Sequence, residues 1–153
     1  MSLPSRYAPD LPFPAYAFVP GQHPHPMTDP KGHSYRTPEE EIGTPDASTL
    51  ASNSRFRFAV DLFNHGYYWE AHEAWEGLWH AAGRKGNLAD FLKALIRLAA
   101  SGVKAREGNS AGVIRHAERA RALFSQTGCL ELIPLAEHLA TQPPVDSTFT
   151  VSG

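Results

Sequence analysis

Proline is distributed very unevenly along this chain, and its distribution limits what each part can fold into. Ten of the 13 prolines lie at or before Pro45, whereas residues 50–140 contain only Pro134. Proline lacks a backbone donor and disrupts the interior of a helix. Long helices are therefore expected only after residue 49, and we place a boundary there.

We call the proline-rich segment, residues 1–49, the arm. Its large side chains are spaced along its length and could anchor it on a domain surface: Tyr7, Phe13, Tyr16, Phe18, Val19 and Tyr35. Flexible glycine- and serine-rich linkers lack such anchors. We interpret the arm as an extended segment packed against the core, the alternative being a disordered tail.

Residues 50–141 show the spacing of apolar side chains that is typical of amphipathic helices. Helix one follows Ser52 or Asn53, either of which could cap it, and ends at Gly66. The same criteria predict four further helices, over Tyr68–Ala82, Leu88–Val103, Ser110 to Gly128 and Cys129–Ala140.

No alternating pattern is long enough to predict a sheet. We therefore predict an all-α fold, a compact antiparallel bundle of four to five helices with an extended N-terminal arm. Residues 142–153 form a C-terminal tail in this division. Trp75 and Leu78 should be largely buried in the bundle.

Composition excludes several classes of protein. No stretch approaches the ~18 consecutive apolar residues of a membrane span, and the first residues lack the apolar region of a secretory signal. The single cysteine, Cys129, excludes an internal disulfide framework. We expect a cytoplasmic protein without a membrane partner.

Aromatic, histidine and glutamate side chains are concentrated in residues 67–80, which contain all three tryptophans. On a helix, His72, Glu76 and Trp79 share a face, together with Tyr68 and Trp75. A neutral imidazole and a carboxylate one turn apart can bind one divalent transition metal, such as zinc, iron, manganese or nickel.

The pattern partly matches the HExxH motif, with Glu76 in place of the second histidine. Glu73 then occupies the position of the general base and is the candidate catalytic residue. Two ligands from one helix do not hold a metal tightly, so further ligands are required. The main candidates are Asp61 and His65 of helix one and His33 of the arm. Helix four also offers His116, and the arm also offers His23 and His25.

The arm should be ordered and bring at least one of His23, His25 or His33 close to the face that carries His72 and Glu76. There it would exclude water and complete the ligand set. The predicted pocket combines His25 with Tyr68, Trp75 and Trp79. The alternative is that His72 and Glu76 only hydrogen-bond one another while the tryptophans pack in the core. Glu70, His80 and His138 are expected to lie on a solvated helix face.

Residues 63–79 resemble the signature of the prokaryotic domain-of-unknown-function 309 family. The hallmark is a phenylalanine, a glycine and an aromatic residue leading into Ala-His-Glu-x-x-Glu-x-x-Trp, and the resemblance covers roughly residues 55–125. The arm resembles an extension found in a subset of that family. The resemblance implies a small helical bundle and a metal-binding HxxxExxW motif at His72, Glu76 and Trp79, but no established reaction.

One departure from the family pattern concerns helix three. Lys93 and Arg97 occupy positions where the family pattern has glutamines. Two cations at these positions would disfavour a metal ion electrostatically if their side chains face the site.

Positive charge is concentrated between Arg84 and Arg121, where nine lysines and arginines accompany only three acidic residues. No nucleic-acid motif accompanies them, so nucleic acid is not the expected partner. Two hypotheses result: a protein with a metal or polar pocket on the HxxxExxW helix that serves as a metal-dependent enzyme, or a non-catalytic module that binds a partner through the basic face of helices three and four. Either is compatible with a homo-oligomer.

Overall fold

Among the residues that the structure describes after residue 53, most lie in five α-helices. The computed structural model describes residues 4–141 and 148–151. The helices are α1 (Ser54–Asn64), α2 (Tyr68–Ala81), α3 (Asn87–Arg106), α4 (Ser110–Thr127) and α5 (Ile133–Thr141), and short 3-10 helices span Ala47–Ser52 and Leu130–Leu132. No strand occurs in these two ranges, so the predicted all-α fold is confirmed.

Two asparagines start helices as N-caps. The side chain of Asn53 accepts a hydrogen bond from the Phe56 amide (3.0 Å), and that of Asn109 accepts one from the Gly112 amide (2.9 Å). Each satisfies a backbone donor that has no partner within its helix. The last helix starts later than predicted, at Ile133 instead of Cys129, so that Pro134 lies in its first turn, where proline is tolerated.

Helix α3 is central, because it packs most extensively against α2 and α4 and also contacts α5. Trp75 and Leu78 of α2 are fully buried, which confirms their predicted place in the core. The other helices also contribute large, fully buried apolar side chains: Val60, Phe63, Leu92, Leu95, Leu98, Phe124 and Leu139. Within the described residues, no helix has the length and apolar character needed to cross a membrane.

Gly102 permits the close approach of α2 and α3. A Cβ atom at this position would lie 2.5 Å from Cγ of Tyr68, which is closer than real Cβ atoms come to other heavy atoms. The Tyr68 ring therefore fills the space that any larger residue at position 102 would occupy. This packing fixes the rotation of α2, and with it the directions in which the polar side chains of α2 point.

The arm is fastened to α1 by a buried carboxylate. Asp61 accepts hydrogen bonds from the backbone amides of Tyr7 and Ala8 (both 2.8 Å) and from Nε of Arg6 (3.2 Å). Further along the arm, Phe18 and Val19 are buried. Residues 1–3, the first residues of the arm, lie outside the described part of the chain.

The predicted C-terminal tail is described only over residues 148–151. Phe149 is buried in the core, and its backbone exchanges two hydrogen bonds of 2.6 Å with the side chain of Asn64. Residues 142–147 and 152–153 lie outside the described residues. The described part of the tail thus contributes an aromatic ring to the bundle.

Candidate metal site on helix α2

Helix α2 begins after a tight turn that sets its position. Gly66 has a positive φ of 89°, a conformation that glycine adopts without strain, and the Tyr67 amide donates to the carbonyl of Leu62 (2.7 Å). The turn reverses the chain, so α2 packs back against α1. Tyr68 and Trp75 of α2 pack in the core, so polar residues of this helix lie on its other sides.

His72, Glu73 and Glu76 come together on the outer side of α2. Nδ1 of His72 lies 3.5 Å from Oε1 of Glu73 and 3.8 Å from Oε2 of Glu76. One ligand atom from each residue lies within 4.8 Å of the other two. Nδ1 of His72 is buried and has no hydrogen-bond partner among the described residues.

The separations of 3.5 Å and 3.8 Å are close to those between ligands of one ion, and the widest pair would have to move closer together on binding. With metal–ligand bonds of about 2.0–2.2 Å, neighbouring ligand atoms lie roughly 3–3.6 Å apart. The structure places Glu73, the predicted catalytic residue, in the same group as the two predicted ligands. Its exposed carboxylate is therefore a third potential ligand.

A small cavity of about 170 Å³ adjoins this group. It is lined by His72, Glu76 and Trp79 of α2 and by Lys93, Ile96 and Arg97 of α3. Nζ of Lys93 lies 5.9 Å from the ring centroid of Trp79. The two cations that depart from the family pattern therefore face the candidate site.

The other predicted ligands lie elsewhere. Asp61 is occupied by the amides of the arm, and the ring of His65 packs 4.9 Å from the ring of Phe13. Nε2 of His33 lies 2.7 Å from Oε2 of Glu70. In the described parts of the chain, none of the three predicted ligands joins a group of three or more potential metal ligands.

The prediction that Glu70 lies on a solvated face is wrong. The residue is 6% exposed, because the arm covers it and the Phe18 amide donates to its Oε2 (3.0 Å). Residues 70 and 72 are about 200° apart around a helix, so the two side chains point in nearly opposite directions. The arm therefore meets Glu70 rather than His72.

The arm histidines accordingly make contacts outside the candidate site. The ring of His25 meets that of Trp69 at 5.7 Å, and the ring of His23 stacks on Tyr16 at 5.4 Å. Of the four predicted pocket residues, only Trp79 lines the cavity beside His72. Trp75 is in the core, and Tyr68 lines another cavity next to Arg106.

Residues 56–116 match the family model described as Domain of unknown function (DUF309). The resemblance to DUF309 is confirmed. Searches of curated proteins and of solved structures gave no significant match. The DUF309 region contains the His72–Glu73–Glu76 group and the cavity beside it, whereas the arm lies outside the matched residues.

The last residue of the DUF309 region, His116, lies in a strongly basic environment. Burial, together with the charges of Arg97 and Lys104 of α3 and of Arg119 and Arg115 of α4, lowers its pKa from 6.5 to about 4. Its Nδ1 is buried and has no hydrogen-bond partner among the described residues. The imidazole is therefore neutral at physiological pH.

This pKa predicts a pH-dependent stability. Below pH ~6.5 the unfolded chain protonates His116, whereas the folded chain does not. The free energy of unfolding therefore has its full contribution from His116 above that pH and loses it as the pH falls toward about 4. For a partly exposed ring we expect a loss of ~1 kcal/mol between about pH 7.5 and pH 5. The measurement is urea unfolding of the wild type and His116→Gln at both values. Equal losses in the two proteins would contradict the prediction.

Proposed function

We propose that this chain binds a divalent transition metal through His72, Glu73 and Glu76. The observation that carries the proposal is the buried Nδ1 of His72, which has no hydrogen-bond partner and lies 3.5 Å and 3.8 Å from two carboxylate oxygens. A buried polar atom without a partner is costly. A shared metal ion would satisfy that atom and neutralise the two carboxylates.

The ligand types narrow the choice of ion. One imidazole nitrogen and two carboxylate oxygens suit zinc, iron, manganese or nickel, and they do not favour copper(I), which prefers sulfur ligands. Three protein ligands leave coordination positions open, as catalytic sites require. A metal held in this way can polarise a substrate oxygen or lower the pKa of bound water, which is the basis for a metal-dependent reaction.

Lys93 and Arg97 lower the affinity that this site has for a metal ion. Both line the cavity next to His72 and Glu76, so their charges oppose the binding of a cation. The two carboxylates balance those charges, and the open cavity lets water screen them. We therefore expect a weaker metal affinity than glutamines at positions 93 and 97 would give.

Titration of the metal-free protein with zinc and manganese, followed by calorimetry, tests the proposal. His72→Ala should lower the affinity at least about 100-fold, since one of three ligands is lost. His80→Ala is the matched control, because His80 lies 3.9 Å from Glu76 on the same helix but is 53% exposed and outside the ligand group. The double variant Lys93→Gln, Arg97→Gln should bind about tenfold more tightly at low salt.

Two outcomes would contradict the proposal. One is the absence of binding by the wild type and by the double variant at millimolar metal. The other is an equal loss of affinity in His72→Ala and His80→Ala, which would place the metal on exposed surface groups. Near-ultraviolet circular dichroism shows whether each variant keeps its tertiary packing.

A second candidate function rests on the basic face of α3 and α4. Arg97, Arg115 and Arg119 surround His116 and form no ion pair with another described residue. Such a face suits an acidic partner protein. Binding of that kind should be lost in Arg115→Glu, Arg119→Glu and retained in His72→Ala, whereas a metal-dependent function shows the opposite pattern.

A further inference from the structure

A groove of about 550 Å³ lies between the arm and helices α1 and α2. Its volume is in the range of small-molecule sites. Much of the wall is apolar, with Leu11, Pro12, Pro14, Met27, Phe58, Leu62 and Trp69. Three polar side chains that also line it, His33, Ser34 and Glu70, are hydrogen-bonded to one another in a chain.

The two hydrogen bonds that link Ser34, His33 and Glu70 are short. Oγ of Ser34 lies 2.7 Å from Nδ1 of His33, and Nε2 of His33 lies 2.7 Å from Oε2 of Glu70. Oε2 also accepts the Phe18 amide, so it acts as an acceptor. We assign the imidazole proton to Nε2 from these partners, which leaves the lone pair of Nδ1 to accept the Ser34 hydroxyl.

The imidazole is held in a fixed orientation. The side chain of His33 is 4% exposed, and its ring lies 4.7 Å from that of Tyr16. The hydroxyl of Tyr16 accepts the backbone amide of His33 (3.2 Å) and donates to the carbonyl of Pro24 (2.6 Å). A base fixed in this way loses little entropy when it acts.

Anchoring of the arm explains only part of this arrangement. A contact between His33 and Glu70 would be sufficient to dock the arm. It requires neither a serine hydroxyl on the other ring nitrogen nor a second carboxylate oxygen, Oε1 of Glu70, that is buried without a hydrogen-bond partner. A nucleophile, a base and a group that orients the base are the parts of an activated hydroxyl.

We propose that Ser34 is a nucleophile for acyl transfer, with His33 as its general base and Glu70 as the carboxylate that orients the imidazole. The substrate class is a carboxylic ester whose apolar group lies against the groove wall. The proposal does not depend on the metal site. Ser34, His33 and Glu70 all lie outside the His72–Glu73–Glu76 group, of which only Glu73 lines the groove.

The reaction balances without a cofactor. Oγ of Ser34 forms a bond to the ester carbonyl carbon while its proton moves to Nδ1 of His33. The carbon–oxygen bond to the alcohol then breaks, and the leaving alkoxide takes that proton. Water repeats the steps on the acyl-serine and releases the acid.

Covalent labelling with an alkyl fluorophosphonate tests the proposal on the full chain. The serine oxygen bonds to phosphorus, fluoride leaves, and the hydroxyl proton passes to His33, so the reagent reports an activated serine. We expect a single adduct on Ser34 by peptide mass spectrometry, and none in Ser34→Ala. Ser54→Ala is the matched control, because its hydroxyl lines the same groove without an imidazole partner, and it should label like the wild type.

The role of the carboxylate needs a separate variant. Glu70→Gln keeps the shape and an acceptor oxygen, and it should slow labelling at least about tenfold through loss of the charge. If that variant does not fold, the wild type in urea decides, because unfolding separates the three side chains and should abolish labelling at Ser34. Absence of an adduct on folded wild type, equal rates in Glu70→Gln, or equal labelling of folded and unfolded chains would overturn the proposal.

Discussion

Replacing Trp75 with alanine is expected to destabilise the protein by ~3–5 kcal/mol. The indole is fully buried, and its ring lies 5.8 Å from that of Phe63 and 6.4 Å from that of Phe149. Its removal leaves a cavity at the junction of α1, α2 and the C-terminal tail, which the surrounding helices can only partly close. The free energy of unfolding in urea measures the loss.

Trp79→Ala is the matched control for this change. Trp79 is on the same helix, but it lines the open cavity beside His72 and is only partly buried. Its truncation should cost ~1 kcal/mol, because less apolar surface is taken out of water. Equal losses in the two variants, or an unfolding midpoint of Trp75→Ala close to that of the wild type, would contradict the assigned core.

The second large effect is expected at Asp61. Asp61→Ala should destabilise the chain by ~3 kcal/mol, because it leaves the amides of Tyr7 and Ala8 and the Arg6 guanidinium without their buried acceptor. The start of the arm should detach from α1 at the same time. Urea unfolding measures the first effect, and protection of arm amides in hydrogen exchange measures the second.

An exposed ion pair of the arm provides the control. Glu40 pairs with Arg55 at 3.0 Å but is 80% exposed. Glu40→Ala should leave stability within about 0.5 kcal/mol of the wild type, because water screens exposed pairs. If Asp61→Ala were equally harmless and left the arm amides protected, the buried carboxylate would not be what fastens the arm.

The helical bundle could be predicted from sequence because its signals are local. The proline boundary, the apolar spacing on α3 and the capping side chain of Asn53 all act within a few residues. The proximity of His72 to Glu76 follows in the same way from the helix repeat. The helix bounds differ in places: α3 continues to Arg106, beyond the predicted Val103, and α5 starts at Ile133 because Leu130–Leu132 form a 3-10 helix.

The contacts of the arm could not be predicted in this way. The arm meets α1 and α2 through pairs about 50 residues apart in the chain, such as Tyr7 with Asp61 and Phe18 with Glu70. Helix periodicity shows which residues share a face, but it does not show which face an irregular segment covers. A carboxylate at position 70 therefore had the pattern of a solvated residue, although the arm buries it. In the sequence, the only sign of the groove between the arm and α2 is the pair of neighbouring residues His33 and Ser34.

Metal content tests the central claim most directly. The full chain, purified without a histidine tag from cells supplied with zinc, manganese, iron and nickel, should contain close to one equivalent of one of these metals by elemental analysis. The variant His72→Ala, Glu76→Ala should contain almost none, while His80→Ala should match the wild type. A wild-type protein that is free of metal after supplementation, or a double variant that retains the full equivalent, would contradict the assignment of His72, Glu73 and Glu76 as a metal site.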